Sequence, residues 1–92
     1  MNLQHKVLLS DSVFAQDIDG EMVLLDTRND LYFGLDEVGG TIWRAIETHK
    51  GVLSEVLKEL IDTYDADEET LQNDMFRFIG TLKEHGLAEV VS

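Results

Sequence analysis

The sequence predicts an α+β fold in which a three-stranded antiparallel sheet is followed by three helices. Residues 6–35 carry short apolar runs separated by turn residues. From Asp36 onward the apolar spacing changes to the helical i, i+3, i+4 pattern. Strands and helices are thus segregated along the chain, which points to α+β rather than to a wound parallel sheet. A sheet this small cannot stand alone in water, so its apolar face must pack on the helices.

The strands come first. Val7, Leu8 and Leu9 form a short apolar run, and Ser12 to Ile18 mixes Val13, Phe14, Ala15 and Ile18 with polar residues. Asp19-Gly20 supplies the positive φ angles of a tight hairpin turn. Glu21 to Thr27 is the return strand, and Arg28-Asn29-Asp30 is a second turn. The third strand is Leu31-Tyr32-Phe33-Gly34-Leu35. Alternation puts Leu31, Phe33 and Leu35 on the core face, with Tyr32 and Gly34 opposite.

The helices occupy about 37–86. Asp36 is the expected N-cap of the first. Val38, Ile42, Ala45 and Ile46 follow at helical spacing with Trp43 beside them, and Gly51 is the stop. Leu53, Val56, Leu57, Leu60, Ile61 and Tyr64 make one stripe on the second helix. The third begins among Asp65, Ala66, Asp67, Glu68 and Glu69, where carboxylates suit the positive end of the macrodipole. It runs to about His85 and stops at Gly86, with Leu87 folding back onto the last turn. Ala88 to Val91 adds a short final strand.

Composition narrows the function classes. Ninety-two residues make a single domain, 1–92. Seven Lys and Arg against 19 Asp and Glu give a formal net charge of −12, the wrong sign for a phosphate backbone or an anionic membrane surface. With no cysteine there is no disulfide, thiolate nucleophile or Cys-based zinc site. The first residues lack a basic segment followed by an apolar stretch, so no signal peptide is read and a cytoplasmic location is the default.

Enzyme chemistry needs convergent groups. His5, His49 and His85 share no helix face, and no nucleophile elbow, phosphate loop or zinc helix motif occurs. Gly39-Gly40 reads as close helix packing or a weakened first turn. The acidic stretch from Asp62 to Glu69 fails as a calcium loop in both frames. Starting at Asp62 places Asp67 where Gly is required and Asn73 where Glu is required; starting at Asp65 places Thr70 and Phe76 there. No metal and no cofactor are expected.

Strands feeding three helices also fit a winged helix-turn-helix, whose last helix would read DNA. Its leading residues here are Asp67, Glu68, Glu69 and Asp74, and only Arg77 and Lys83 on it are basic, so DNA is excluded on charge. Peptide or protein binding remains. At about 100° per residue, Phe78, Leu71, Leu82 and Met75 fall in a narrow arc of the third helix, with Ile79 at its edge and Phe76 further round. An arc that wide fits a second buried neighbour or a docking groove. An open third-strand edge beside it is the geometry for strand addition by an extended peptide. The other protein-binding reading is an acidic winged-helix interaction module that dimerises.

Leu24-Leu25-Asp26, then Leu31 to Gly39, then Ile42-Trp43, resemble the PqqD-like family of peptide chaperones, the recognition elements for precursors of ribosomally made, modified peptides. Leu53 to Tyr64, Asp67 to Leu71, Asp74, Phe78, Leu82 and Gly86-Leu87 agree with it, so the resemblance covers about residues 20–90. Phe76, where the family usually has a polar or small residue, and Lys83, often apolar there, depart from it. The resemblance implies a winged helix-turn-helix-like fold that binds a precursor leader as an added strand. The leader would lie antiparallel to the third strand, in a cleft with the third helix. Carried over, the strand side is Leu31, Tyr32, Phe33, Gly34 and Leu35. The helix side is Leu71, Asp74, Met75, Phe76, Phe78, Ile79 and Lys83. The resemblance further implies a non-catalytic adaptor that presents the leader to a separate enzyme. In lasso-peptide pathways that enzyme is a cysteine-protease homologue; in PQQ synthesis it is a radical-SAM enzyme. The wording of strand and helix is closer to the lasso type. An apolar slot in so acidic a surface would steer a leader or enzyme with basic flanks.

Overall fold

The structure is a computed structural model that describes residues 1–91. Its elements run β1 (Lys6–Leu9), β2 (Val13–Ile18), β3 (Glu21–Asp26), β4 (Leu31–Leu35), α1 (Glu37–Thr48), α2 (Leu53–Thr63), α3 (Glu68–Glu84) and β5 (Ala88–Val91). The α+β architecture expected from the sequence is present: an antiparallel β2-β3-β4 meander precedes three helices, compatible with a winged helix-turn-helix.

The first apolar run does not join that sheet. Instead β1 pairs antiparallel with β5, from Lys6 opposite Val91 to Leu9 opposite Ala88, and forms a second, two-stranded ladder. The Val7 N–H also donates to Gly51 O at 3.0 Å, which ties β1 to the α1–α2 corner. A Cβ on Gly51 would collide with the Val7 carbonyl, and its φ is +80°, so only glycine fits.

Each turn forms for a local reason. Asp19 (φ 53°) and Gly20 (φ 84°) make the two-residue hairpin between β2 and β3. Between β3 and β4 the buried Asp26 carboxylate organises the turn. The Arg28 N–H donates to one oxygen at 3.1 Å and the Asn29 amide to the other at 2.9 Å. These bonds, the Asn29 side chain foremost, hold the Asp26 carboxyl below its usual range despite the opposing effect of burial.

The helices start and stop as their end residues dictate. Asp36 caps α1 by accepting the Gly39 N–H at 2.7 Å, and Asp67 caps α3 with a longer bond of 3.4 Å from the Thr70 N–H. After α3 the Leu87 N–H returns to Leu82 O at 2.8 Å, and Leu87 is buried. The core joins Leu24 of the sheet to Ile42, Trp43 and Ile46 of α1, Leu53, Val56 and Leu60 of α2, and Met75 and Ile79 of α3. Each such side chain, fully buried, contributes about 1.5–3 kcal/mol against exposure. The Trp43 indole N–H is buried without an acceptor, a cost that the burial of its ring offsets. Met22, Leu24 and Asp26 face the helices, while Phe14, Leu25 and Tyr32 share one row on the opposite face. Leu31, expected in the core, is half exposed because it begins the edge strand beside the turn.

Candidate functional site: the β4 edge and the groove beside α3

β4 is an edge strand with β3 as its one neighbour in the sheet. Which of its backbone groups point outward follows from the register. The Thr27 N–H donates to Ser12 O at 2.9 Å, extending the hydrogen-bonded pairs of β2 and β3: 14 with 25, 16 with 23, and 18 with 21 at the hairpin. Residues 21, 23 and 25 therefore turn their N–H and C=O to β2, and residues 22, 24 and 26 turn theirs to β4. Their partners on β4 are Leu35, Phe33 and Leu31, whose backbone groups are used inside the sheet. Tyr32 and Gly34 carry the outward groups, two N–H and two C=O.

Beside this edge lies a groove of about 410 Å³. Gly34 and Leu35 form its strand wall. Asp36, Val38, Gly39 and Ile42 come from the start of α1, and Asp74, Arg77, Phe78 and Thr81 from α3. The four α3 residues sit at i, i+3, i+4 and i+7, one stripe of the helix surface. Phe78 lies against the bare backbone of Gly39. Along the strand, Phe33 packs on the His85 ring at the α3 C-terminus, with centroids 5.0 Å apart and planes tilted by 47°.

The structure divides the residues expected to form the site. Gly34, Leu35, Asp74 and Phe78 meet at the groove. Leu71, Met75 and Ile79 do not: with Leu82 they form the buried stripe that holds α3 on the core. Phe76 is half buried against the core and outside the groove lining, and Lys83 is exposed beside a separate depression with Gly86 and Ala88. Leu31, Tyr32 and Phe33 contribute strand rather than lining. Tyr32 is 70% exposed on the sheet's outer face, and its link to the site is its backbone. The sequence reading missed Val38, Gly39, Ile42, Arg77 and Thr81 as groove residues, and took Asp36 only as a cap. Asp74 and Phe78 of the α3 stripe are expected from the sequence, whereas Arg77 and Thr81 are polar and a search for apolar arcs passes over them.

The groove's charges are mixed. Asp36 commits one oxygen to the Gly39 N–H. Asp74 sits 4.0 Å from the Arg77 guanidinium, an exposed contact that adds little to stability and leaves the arginine loosely held. Among the described residues no group of three or more His, Asp or Glu side chains is placed to hold a metal ion. Among the described residues no helix is long and apolar enough to cross a membrane either.

Three comparisons bear on this site. Among curated proteins nothing matches. Among solved structures the chain is similar to TbiB1 in complex with the TbiA(beta) leader peptide, at 36% identity and TM-score 0.78, over 88% of this chain and 93% of that one. It is also similar to a lasso peptide synthetase B1 complexed with the leader peptide, at 23% identity and TM-score 0.71, over 91% of this chain and 98% of that one; this second likeness shows the fold. The family described as coenzyme PQQ synthesis protein D (PqqD) matches residues 21–88, which span β3, β4, the three helices and every groove residue, so the chain belongs to the PqqD family.

Proposed function

We propose that this protein binds the leader segment of a ribosomally made precursor peptide and presents it to a separate processing enzyme. The observation that carries the reading is the open β4 edge lying along a preformed groove, in a chain 36% identical to one solved with a leader peptide. The leader adds as a strand outside β4. Its backbone takes the outward groups of Tyr32 and Gly34, and its groove-facing side chains enter the slot between Leu35, Val38, Ile42 and Phe78. Backbone bonds give register and tolerate sequence; the groove gives selectivity.

The protein itself performs no catalysis in this reading. It raises the local concentration of the precursor at its enzyme. A cysteine-protease homologue of a lasso-peptide pathway is the enzyme we favour, from the resemblance of the strand and helix residues to the lasso type; a radical-SAM enzyme is the alternative attached to the family's PQQ description. Calorimetric titration with the TbiA(beta) leader peptide, and with peptides selected from a random display library, tests binding. Saturable one-to-one binding that moves the amides of residues 31–35 and 74–81 is expected. Binding elsewhere on the surface, or none, overturns the reading.

A further inference from the structure

We propose that Gly39 and Phe78 act as a pair that sets the width of the groove, and so determines which peptides it admits. The inference rests on the leader-binding reading above. The two residues meet across the gap between α1 and α3, and both line the groove. A Cβ built on Gly39 would stand 3.2 Å from Phe78 Cε1 and 3.1 Å from Asp36 Oδ1. The second neighbour is the carboxylate that caps α1 and is held by its 2.7 Å bond, so it has little room to give. The ring must yield instead. Whether it swings aside or the new side chain takes its place, the atoms go into the groove.

The adjacent glycine is different. A Cβ on Gly40 meets Met22 at 3.6–3.7 Å, ordinary contact distance, and Gly40 lies outside this groove's lining. Gly39 is therefore not a residue the helix needs. Its backbone φ is not in the left-handed region, and alanine is the better helix former at such a position. Its place is explained by the ring that lies on it. Phe78 correspondingly leaves the buried stripe of α3 and is half buried at the groove wall. Small residue and large ring together define how deep a peptide side chain can seat.

The test uses the full chain and peptides selected against it from a random display library. Gly39→Ala and Gly39→Val are expected to weaken binding by about threefold and about tenfold, as overpacking of a filled site does. Gly39→Ala is expected to stay folded with at most a small change in unfolding temperature, because the helix propensity that alanine gains offsets the crowding of the ring, so its loss of affinity is not a loss of fold. Phe78→Leu combined with Gly39→Val is expected to recover most of the affinity. Repeating the selection on Gly39→Val is expected to enrich smaller side chains at the groove-facing peptide position, a change that a purely structural glycine would not cause. Unchanged affinity and unchanged selection in folded Gly39→Ala and Gly39→Val variants overturn the inference while leaving leader binding intact. If the unsubstituted chain binds no peptide, the leader-binding reading falls first and this inference with it.

Discussion

Replacing Gly34 with proline removes one hydrogen-bond donor from the site and none from the sheet. The register assigns the Gly34 N–H to the outer edge of β4, because its partner Val23 bonds to β2. Proline is tolerated on edge strands where its missing N–H faces outward. Nothing lies within 4 Å of a Cβ at this position, so the ring has space. The loss is one peptide-to-strand bond, net about 0.5–1.5 kcal/mol, rising to about 1–3 kcal/mol if the peptide carbonyl is left buried and unpaired. About tenfold weaker binding is therefore expected, with up to about a hundredfold as the bound. Two controls separate backbone from side chain. Gly34→Ala keeps the donor and is expected to bind like the unsubstituted chain. Phe33→Pro removes an N–H that bonds β3 and is expected to unfold the meander. Calorimetry gives the affinities and circular dichroism the fold. A folded Gly34→Pro variant with unchanged affinity would refute strand addition at β4.

Two further outcomes follow from the turns and caps. Asp36→Ala is expected to lower stability by about 0.5–2 kcal/mol in urea unfolding, and Asp67→Ala by less, since its capping bond is 3.4 Å against 2.7 Å; equal losses would contradict the geometric ranking. The Asp26 carboxyl is held below its usual range in the fold, so its contribution is present above the ordinary carboxylate pKa and is lost as pH falls through the lowered value. Acid unfolding followed by circular dichroism is expected to shift to a shallower pH dependence in Asp26→Asn, and identical profiles would remove Asp26 from the account.

Much of this fold was legible because local chemistry and global packing agree. Asp19-Gly20, Asp36, Gly51 and Gly86-Leu87 each bring their own turn or cap, and the structure uses them as such. The partner of the first apolar run was not legible. Four residues carry no register signal that distinguishes a neighbour in the meander from a strand at the far end of the chain. On α3 the apolar arc mixed two duties. Leu71, Met75 and Ile79 are buried in the core, while Phe78 turns to the groove, and hydrophobicity alone does not separate them. Gly39 read as a packing glycine, but its partner ring is far away in sequence and becomes visible only once α1 and α3 are placed together.

Amide hydrogen exchange at β4 distinguishes strand addition from any other mode of peptide binding. In the free protein Tyr32 and Gly34 are expected to exchange fast, while Phe33 and Leu35, bonded to β3, are protected. A saturating bound peptide is expected to protect Tyr32 and Gly34 and to leave the outer edge of β2 unchanged. If the peptide binds while Tyr32 and Gly34 continue to exchange fast, the leader does not add to this strand.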